Sequence, residues 1–316
     1  MPRKFTVVPA IDRAALLAIP QVRQLFLAAV AGLRDGISDE AVADAIDSGA
    51  TAAILDDEAW GVFAQILGDA FVPDGPLSKA MASVIKRTSA EAPLLGLKLD
   101  QGAIRNAASR WLDRHGADRV RQITESTRVG VKAVLEEGFK GPLSRREVAR
   151  RLARVKGFGL TEHQGQDLTR WMQRQKASGK WTSLTEREIQ YRIDREFGRR
   201  VRQRANTVAH TEAYNAGNQA RRETYRAAID QGVIAAGDYV LEWITRGFNV
   251  CPRCEALDRK TAEIEDGIFV SEPVKEGKYA GQIIRVERPT VHPRCYCTIR
   301  SIARSDAAEQ PVAKAA

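Results

Sequence analysis

The residue types able to do chemistry are concentrated between positions 251 and 297, which open on CPRC (251–254) and close on HPRCYC (292–297). All four cysteines of the chain fall there, Cys251, Cys254, Cys295 and Cys297, and His292 stands three residues before Cys295. A Cys-x-x-Cys turn brings two sulfurs to one side, and two such arms separated by a short sheet-forming insert are the layout of a closed tetrahedral zinc site. Five donors compete for four places. The first assignment is the four thiolates with His292 behind them. The second is Cys251, Cys254, His292 and Cys295, with Cys297 left free. A four-thiolate Zn2+ site carries a formal charge of about −2, which Arg253, Arg294 and Arg300 would offset. Two disulfides or free redox thiols would use the same residues. Against bridges stand the lack of an apolar export segment in MPRKFTVVPA and the close spacing of Cys295 and Cys297. A zinc module of this size is expected to be unfolded without its ion.

A second constellation lies upstream, in the stretch from Val201 to Gly232. Thr211, Asn215, Asn218 and Arg222 recur at helical spacing on one face, and His210, Tyr214, Gly217, Arg221 and Tyr225 form the adjoining one. With Glu212, these hydroxyl, amide, imidazole and guanidinium groups are unusual for a core-facing helix. The reading is a structural polar network of His210, Thr211, Glu212, Asn215 and Asn218 that joins a helical body to the metal module. Gly217 inside the helix suggests close approach of another backbone. The chain has no His-Glu-x-x-His, glycine-rich phosphate cradle or nucleophile elbow, so no catalytic residues and no small-molecule substrate are expected.

These groups must be positioned by the rest of a 316-residue chain of net charge +9. The charge is uneven: residues 1–110 carry 11 basic and 13 acidic side chains, and the remainder 38 and 27. Such an imbalance fits nucleic acid or an acidic protein partner, with Arg145, Arg146, Arg150, Arg151, Arg199 and Arg200 as the contact candidates. No apolar stretch approaches a membrane span. Apolar residues at Leu16, Ile19, Val22, Leu25, Phe26 and Ala29 predict a helix that Pro20 kinks or breaks, and Ser38 reads as the cap of the next. Two cassettes, Leu143–Val148 and Leu184–Ile189, carry the capping-box pattern, and a helix is expected around Asp167–Lys176. After Gly232 the period changes to that of strands, at Tyr239–Thr245, Gly267–Val270, Gln282–Glu287 and Tyr296–Ile302. The expected fold class is mainly α: an elongated helical body followed by a small α+β zinc-binding module. The expected division is an N-terminal helical domain (1–98), an arginine-rich helical body (99–232), a β-rich zinc module (233–303) and a flexible tail (304–316).

ANTVAHTEAYNAG (205–217), Trp243-Ile-Thr, CPRCEALD (251–258) and HPRCYC (292–297), in that order, resemble the head-morphogenesis (minor head protein) domain of tailed phages of the Mu-like and SPP1-like type. The resemblance covers roughly residues 100–302. It implies a non-enzymatic minor protein of the virion or prohead, in the host cytoplasm during assembly. Its partners would be the portal protein, the major capsid protein or both, with packaged double-stranded DNA as a further candidate, and no membrane. It also implies that the four cysteines or His292 hold structural Zn2+ and that Thr211 and Glu212 belong to the helical signature. Where the family usually has an arginine before that Thr-Glu pair, this chain has His210. The alternative is a nucleic-acid-binding protein that aids genome packaging or delivery through its arginine-rich helices. A zinc-containing nuclease is the remote one, because the His pair and Asn-His set between the knuckles are missing.

Overall fold

The structure, a computed structural model, describes residues 9–36, 58–72, 75–89, 100, 102, 106, 111, 115, 118–127, 129–130, 159–246, 250–265 and 267–307. The Ser38 cap, the break at 93–96, the cassette at 143–148 and the tail beyond residue 307 lie outside them. The chain is mainly helical, with a small sheet-bearing module near the C-terminus that carries the Cys/His cluster. The long helices are α1 (Pro9–Gly36), α2 (Glu58–Phe71), α3 (Pro76–Ser89), α4 (Glu162–Ala177) and α5 (Glu186–Asp230). None of the described helices is long and apolar enough to cross a membrane.

The chain falls into two compact units, each drawn from separate stretches: Met1–Gln21, Ser78–Leu112 and Thr207–Ala316 in one, Val22–Leu77 and Asp113–Asn206 in the other. The cut passes through α5, whereas the sequence places boundaries at residues 98 and 232. The difference has a local cause: α5 runs unbroken for 45 residues, so no turn or change of period marks the cut.

In the second unit, α1 buries Val22, Phe26, Ala29 and Val30 along one stripe, and α2 contributes Phe63, Leu67 and Ala70. Pro20 lies inside α1 and does not end it. Its position is exposed, so water can serve the carbonyl that its missing N–H frees. Helix α4 begins at Glu162, five residues earlier than the expected start. Thr161 accepts the Gln164 N–H at 3.4 Å, and the Gln164 side chain accepts the Thr161 N–H at 3.2 Å, a reciprocal cap that fixes the first turn. The same device opens α5, where Glu188 Oε2 accepts the Thr185 N–H at 2.8 Å and Thr185 Oγ1 accepts the Glu188 N–H at 3.3 Å. Gly232, at φ 67°, closes α5. Its N–H donates to Ile229 O and that of Val233 to Ala228 O, a pairing that needs a left-handed residue at the turn.

In the other unit, α5 is buried on every side from Ala209 to Arg222. The module built against it has β1 (Tyr239–Ile244), α6 (Pro252–Glu255), β2 (Thr261–Ala262), β3 (Phe269–Val270), β4 (Arg285–Val286), β5 (Thr298–Ala303) and α7 (Arg304–Ala307). One antiparallel sheet has the order β2-β1-β5, with Leu241 opposite Ala262 and Trp243 opposite Ile299; β3 and β4 form a second, two-stranded ladder. Leu241 and Trp243 face a core with Phe269, Ile299, Tyr225 and three of the cysteines. The other face of β1 carries Glu242, which accepts from Arg259 and Arg300.

Two expectations change here. Strand β5 starts at Thr298, not Tyr296, because the preceding residues turn into the cluster. The tail is ordered as far as Ala307: Arg304 donates its N–H to Asp238 O at 2.7 Å and pairs with Glu263 at 2.7 Å, and Ala307 is buried.

Candidate metal centre

The first arm of the cluster is the turn into α6. Cys251 caps that turn, its Sγ accepting the Cys254 N–H at 3.4 Å, and Pro252 begins the helical turn. The second arm is the loop between β4 and β5, in which the Cys295 N–H donates to His292 O at 3.2 Å. All four cysteines are free thiols, with no disulfide among them. Cys254 Sγ and Cys295 Sγ are 3.7 Å apart, close to the edge of about 3.8 Å of a tetrahedron with metal–sulfur bonds of about 2.3 Å. The donor atoms form two groups that share Cys254: Cys251, Cys254 and His292, and Cys254, Cys295 and Cys297. Within each group every atom lies within 4.8 Å of the others.

His292 stands beside the sulfurs, in one candidate donor group with Cys251 and Cys254. Its Nε2 is 3.3 Å from Cys254 Sγ and its Nδ1 is 2.9 Å from Pro293 O. A proton on Nδ1 donated to that carbonyl leaves the Nε2 lone pair aimed at the sulfurs, the tautomer a ligand requires.

The thiols and the imidazole are strongly coupled. The hydrogen bond from Cys254, with another from Cys297, drives the Cys295 thiol far below its usual range. Its partner Cys254 is driven far up, by the bond to Cys295 first and then by Cys297 and burial. Cys297 is drawn down by Cys254, but Cys295 and burial outweigh that and push it up to about 12. The hydrogen bond with Cys295 raises His292 to about 9 against the effect of burial. A cation bound among these crowded, buried sulfurs would let several thiolates coexist there. The residues fit a soft divalent ion.

The loop that carries this second arm is strained. Thr290 (φ 79°) and Arg294 (φ 60°) both adopt left-handed backbone, which is costly for a β-branched residue and persists only when neighbours hold it. Helix α5 supplies those neighbours. Thr211 Oγ1 accepts the Arg294 N–H at 3.2 Å, and the Thr290 hydroxyl donates to Asn215 Oδ1. One turn further, Asn218 Nδ2 donates to Cys297 O and Asn218 Oδ1 accepts the Ile299 N–H, both at 3.2 Å. Arg221 donates to Ile299 O at 2.8 Å. The Arg222 guanidinium reaches four carbonyls, those of Ile264, Glu265, Gly267 and Glu287, at 3.0–3.3 Å. Burial, with the neighbouring charge of Arg226, holds its pKa below the usual range. Gly267 is required at that crossing, since a Cβ there would lie 1.9 Å from Glu263 O.

His210 is placed differently from the other members of the strip. Its ring stacks on Tyr214 at 4.6 Å and meets the edge of Tyr296 at 4.1 Å. Glu212 is buried. Of the three arginines expected to offset the centre, Arg300 is committed to Glu242, Arg253 lies 4.6 Å over the Tyr279 ring, and Arg294 contributes its backbone N–H.

Comparison with known proteins finds no family model, characterised protein or solved structure that matches this chain.

The nucleic-acid candidates divide. Arg145, Arg146, Arg150 and Arg151 lie outside the described residues. Both Arg199 and Arg200 pair with Glu196, but the Arg199 side chain is 58 % exposed and that of Arg200 only 11 %, so Arg200 is turned inward. Sequence reasoning missed Thr290 and Tyr296, since nothing in residue type announces a left-handed threonine. It also missed the Thr161–Gln164 cap, although the Thr-x-x-Gln pattern was available to find it.

Proposed function

We propose that this protein is a non-enzymatic minor structural protein of a tailed-phage head, acting at the portal vertex or capsid interior, with a structural Zn2+ centre that stiffens a docking module. The convergence of five Cys/His donors in a module tied to α5 by a continuous polar strip carries the mechanical half of the reading. Thiolate and imidazole donors suit Zn2+, and a full protein ligand set leaves no coordination position for a reactive water. When bound, the ion supplies a cross-link between the two arms. Thr211, Asn215 and Asn218 orient the second arm, and Trp243 and Phe269 exclude water beneath it. The phage assignment rests on the resemblance of the ordered motifs.

The test has two parts. Purified protein should carry about one zinc per chain through gel filtration, and labelled chain should be found at the portal vertex in density maps of assembled heads. A metal with an exchangeable water would remove the structural-zinc reading; particles lacking the chain would remove the assembly role.

One observation favours a second reading, duplex DNA contact. Arg192, Arg195, Arg199 and Arg202 are all exposed on α5 at spacings that put them on one face. If three of them reach phosphates, log affinity should fall with log salt at a slope of about −2.7. Binding indifferent to salt would dismiss it.

A further inference from the structure

The cluster offers one donor more than a tetrahedral ion can take, and the structure distinguishes the five by where they sit. Cys254, Cys295 and Cys297 are 1 %, 1 % and 2 % exposed, lie in one mutual group and belong to the apolar core beneath β1 and β5. Cys251 and His292 are both only partly buried. Each stands within 4.8 Å of Cys254 and of the other, and together they line a cavity of about 270 Å³ whose other walls include Arg253, Lys278 and Tyr279.

We propose that the centre has a fixed base of three buried sulfurs, Cys254, Cys295 and Cys297, and a fourth position that Cys251 and His292 can each fill from the cavity side. This rests on the metal reading above and specifies which donors are exchangeable. Both candidates are prepared as ligands by separate means. Cys251 Sγ receives the Cys254 N–H, which fixes the direction of the sulfur at the turn. His292 has Nδ1 occupied by Pro293 O, which frees Nε2. They come from different arms, so either can leave without undoing the other arm's turn. The cavity gives solvent and small electrophiles access to the displaced group, whereas the buried base has none. Cys251 is thus a thiol that can be modified while the metal stays, with His292 closing the shell.

The experiment uses the full chain. Zinc per chain is measured by mass spectrometry after gel filtration for wild type, C251S, H292A, the double variant C251S/H292A, and C297S. Both single variants at the cavity side should keep about as much zinc as wild type, and the double variant and C297S should lose it. Loss in C251S alone, or retention in C297S, overturns the assignment. Because C297S changes a core residue, wild-type zinc-loaded protein is also treated with N-ethylmaleimide and the adducts are mapped. A single adduct on Cys251 with zinc retained is expected. Labelling of Cys297 before Cys251, or zinc release in step with Cys251 labelling, overturns the proposal without touching the structural-zinc reading. A wild-type chain that holds no metal overturns both.

Discussion

Replacing Asn218 with alanine is the sharpest test of how α5 holds the metal module. The Asn218 amide spans Cys297 O and the Ile299 N–H, each at 3.2 Å. Asn218 and Ile299 are 0 % exposed and Cys297 2 %, so water has no route to replace either bond. Truncation leaves one buried carbonyl and one buried N–H unserved, at about 1–3 kcal/mol each. The alanine is a better helix former, which returns less than about 0.7 kcal/mol. The net loss is about 3 kcal/mol, on the order of a hundredfold in the folding equilibrium of the module.

The assay is urea unfolding of zinc-loaded protein, followed by release of metal to a chromophoric chelator and by the near-ultraviolet signal of Trp243. Asn218→Asp should cost more than the alanine. It keeps an acceptor for Ile299 but sets a carboxylate oxygen against Cys297 O with no proton between them. If both variants unfold within about 0.5 kcal/mol of wild type, the amide does not carry the junction and the account of the polar strip is wrong.

Three further outcomes follow from the same contacts. Trp243→Ala should destabilise the module by about 3–5 kcal/mol, because the ring is fully buried and meets Phe269 edge-on at 5.3 Å; a thermal melt unchanged by the substitution would contradict the core as described. Chelation should melt the module while leaving the α1 and α4 helices, seen as lost near-ultraviolet and retained far-ultraviolet dichroism, and acid should do the same because the ligands must shed protons to bind metal. Glu196, held below its ordinary value near 4.5 first by the hydrogen bond from Arg199 and further by the charge of Arg200, contributes stability that is present above that value and lost as pH falls through the lowered one. Glu196→Gln should flatten this acid limb of the unfolding curve by a few tenths of a kcal/mol, given the solvent screening of such pairs.

The centre was legible because its chemistry is written in residue type and spacing: a proline-opened Cys-x-x-Cys and a His-x-x-Cys-x-Cys meet in space as their spacing suggests. The α5 strip was legible for a related reason. Thr211, Asn215 and Asn218 share a face, and polar groups repeated along a helix that also carries Ala209, Ala213, Ala216 and Ala220 need partners elsewhere. What those partners are could not be read, since they are mostly backbone atoms, the Arg294 and Ile299 amides and the Cys297 carbonyl, and backbone is the same at every residue. Which nitrogen of His292 faces the sulfurs was hidden for a similar reason. Its role depends on the Pro293 carbonyl fixing its tautomer, a contact with no counterpart in side-chain spacing. The division into units was hidden by α5 itself, which crosses the cut as one unbroken helix with no turn to mark it.

The metal and the helix hold the same short segment. Residues 290–299 are gripped from one side by Thr211, Asn215 and Asn218 and supply His292, Cys295 and Cys297 from the other. Two sets of contacts that order one strained loop must be thermodynamically coupled, because whichever forms first relieves the second of part of the ordering cost. Thr211→Val makes the coupling measurable, since it removes the acceptor for the left-handed Arg294 while keeping the side-chain shape. Reciprocity requires that the factor by which it weakens zinc affinity equal the factor by which it lowers zinc's protection of the fold. A loss of roughly tenfold is expected for one buried hydrogen bond of about 1.4 kcal/mol. If metal affinity is unchanged while the fold weakens, the helix supports the module as a whole and does not set its metal loop.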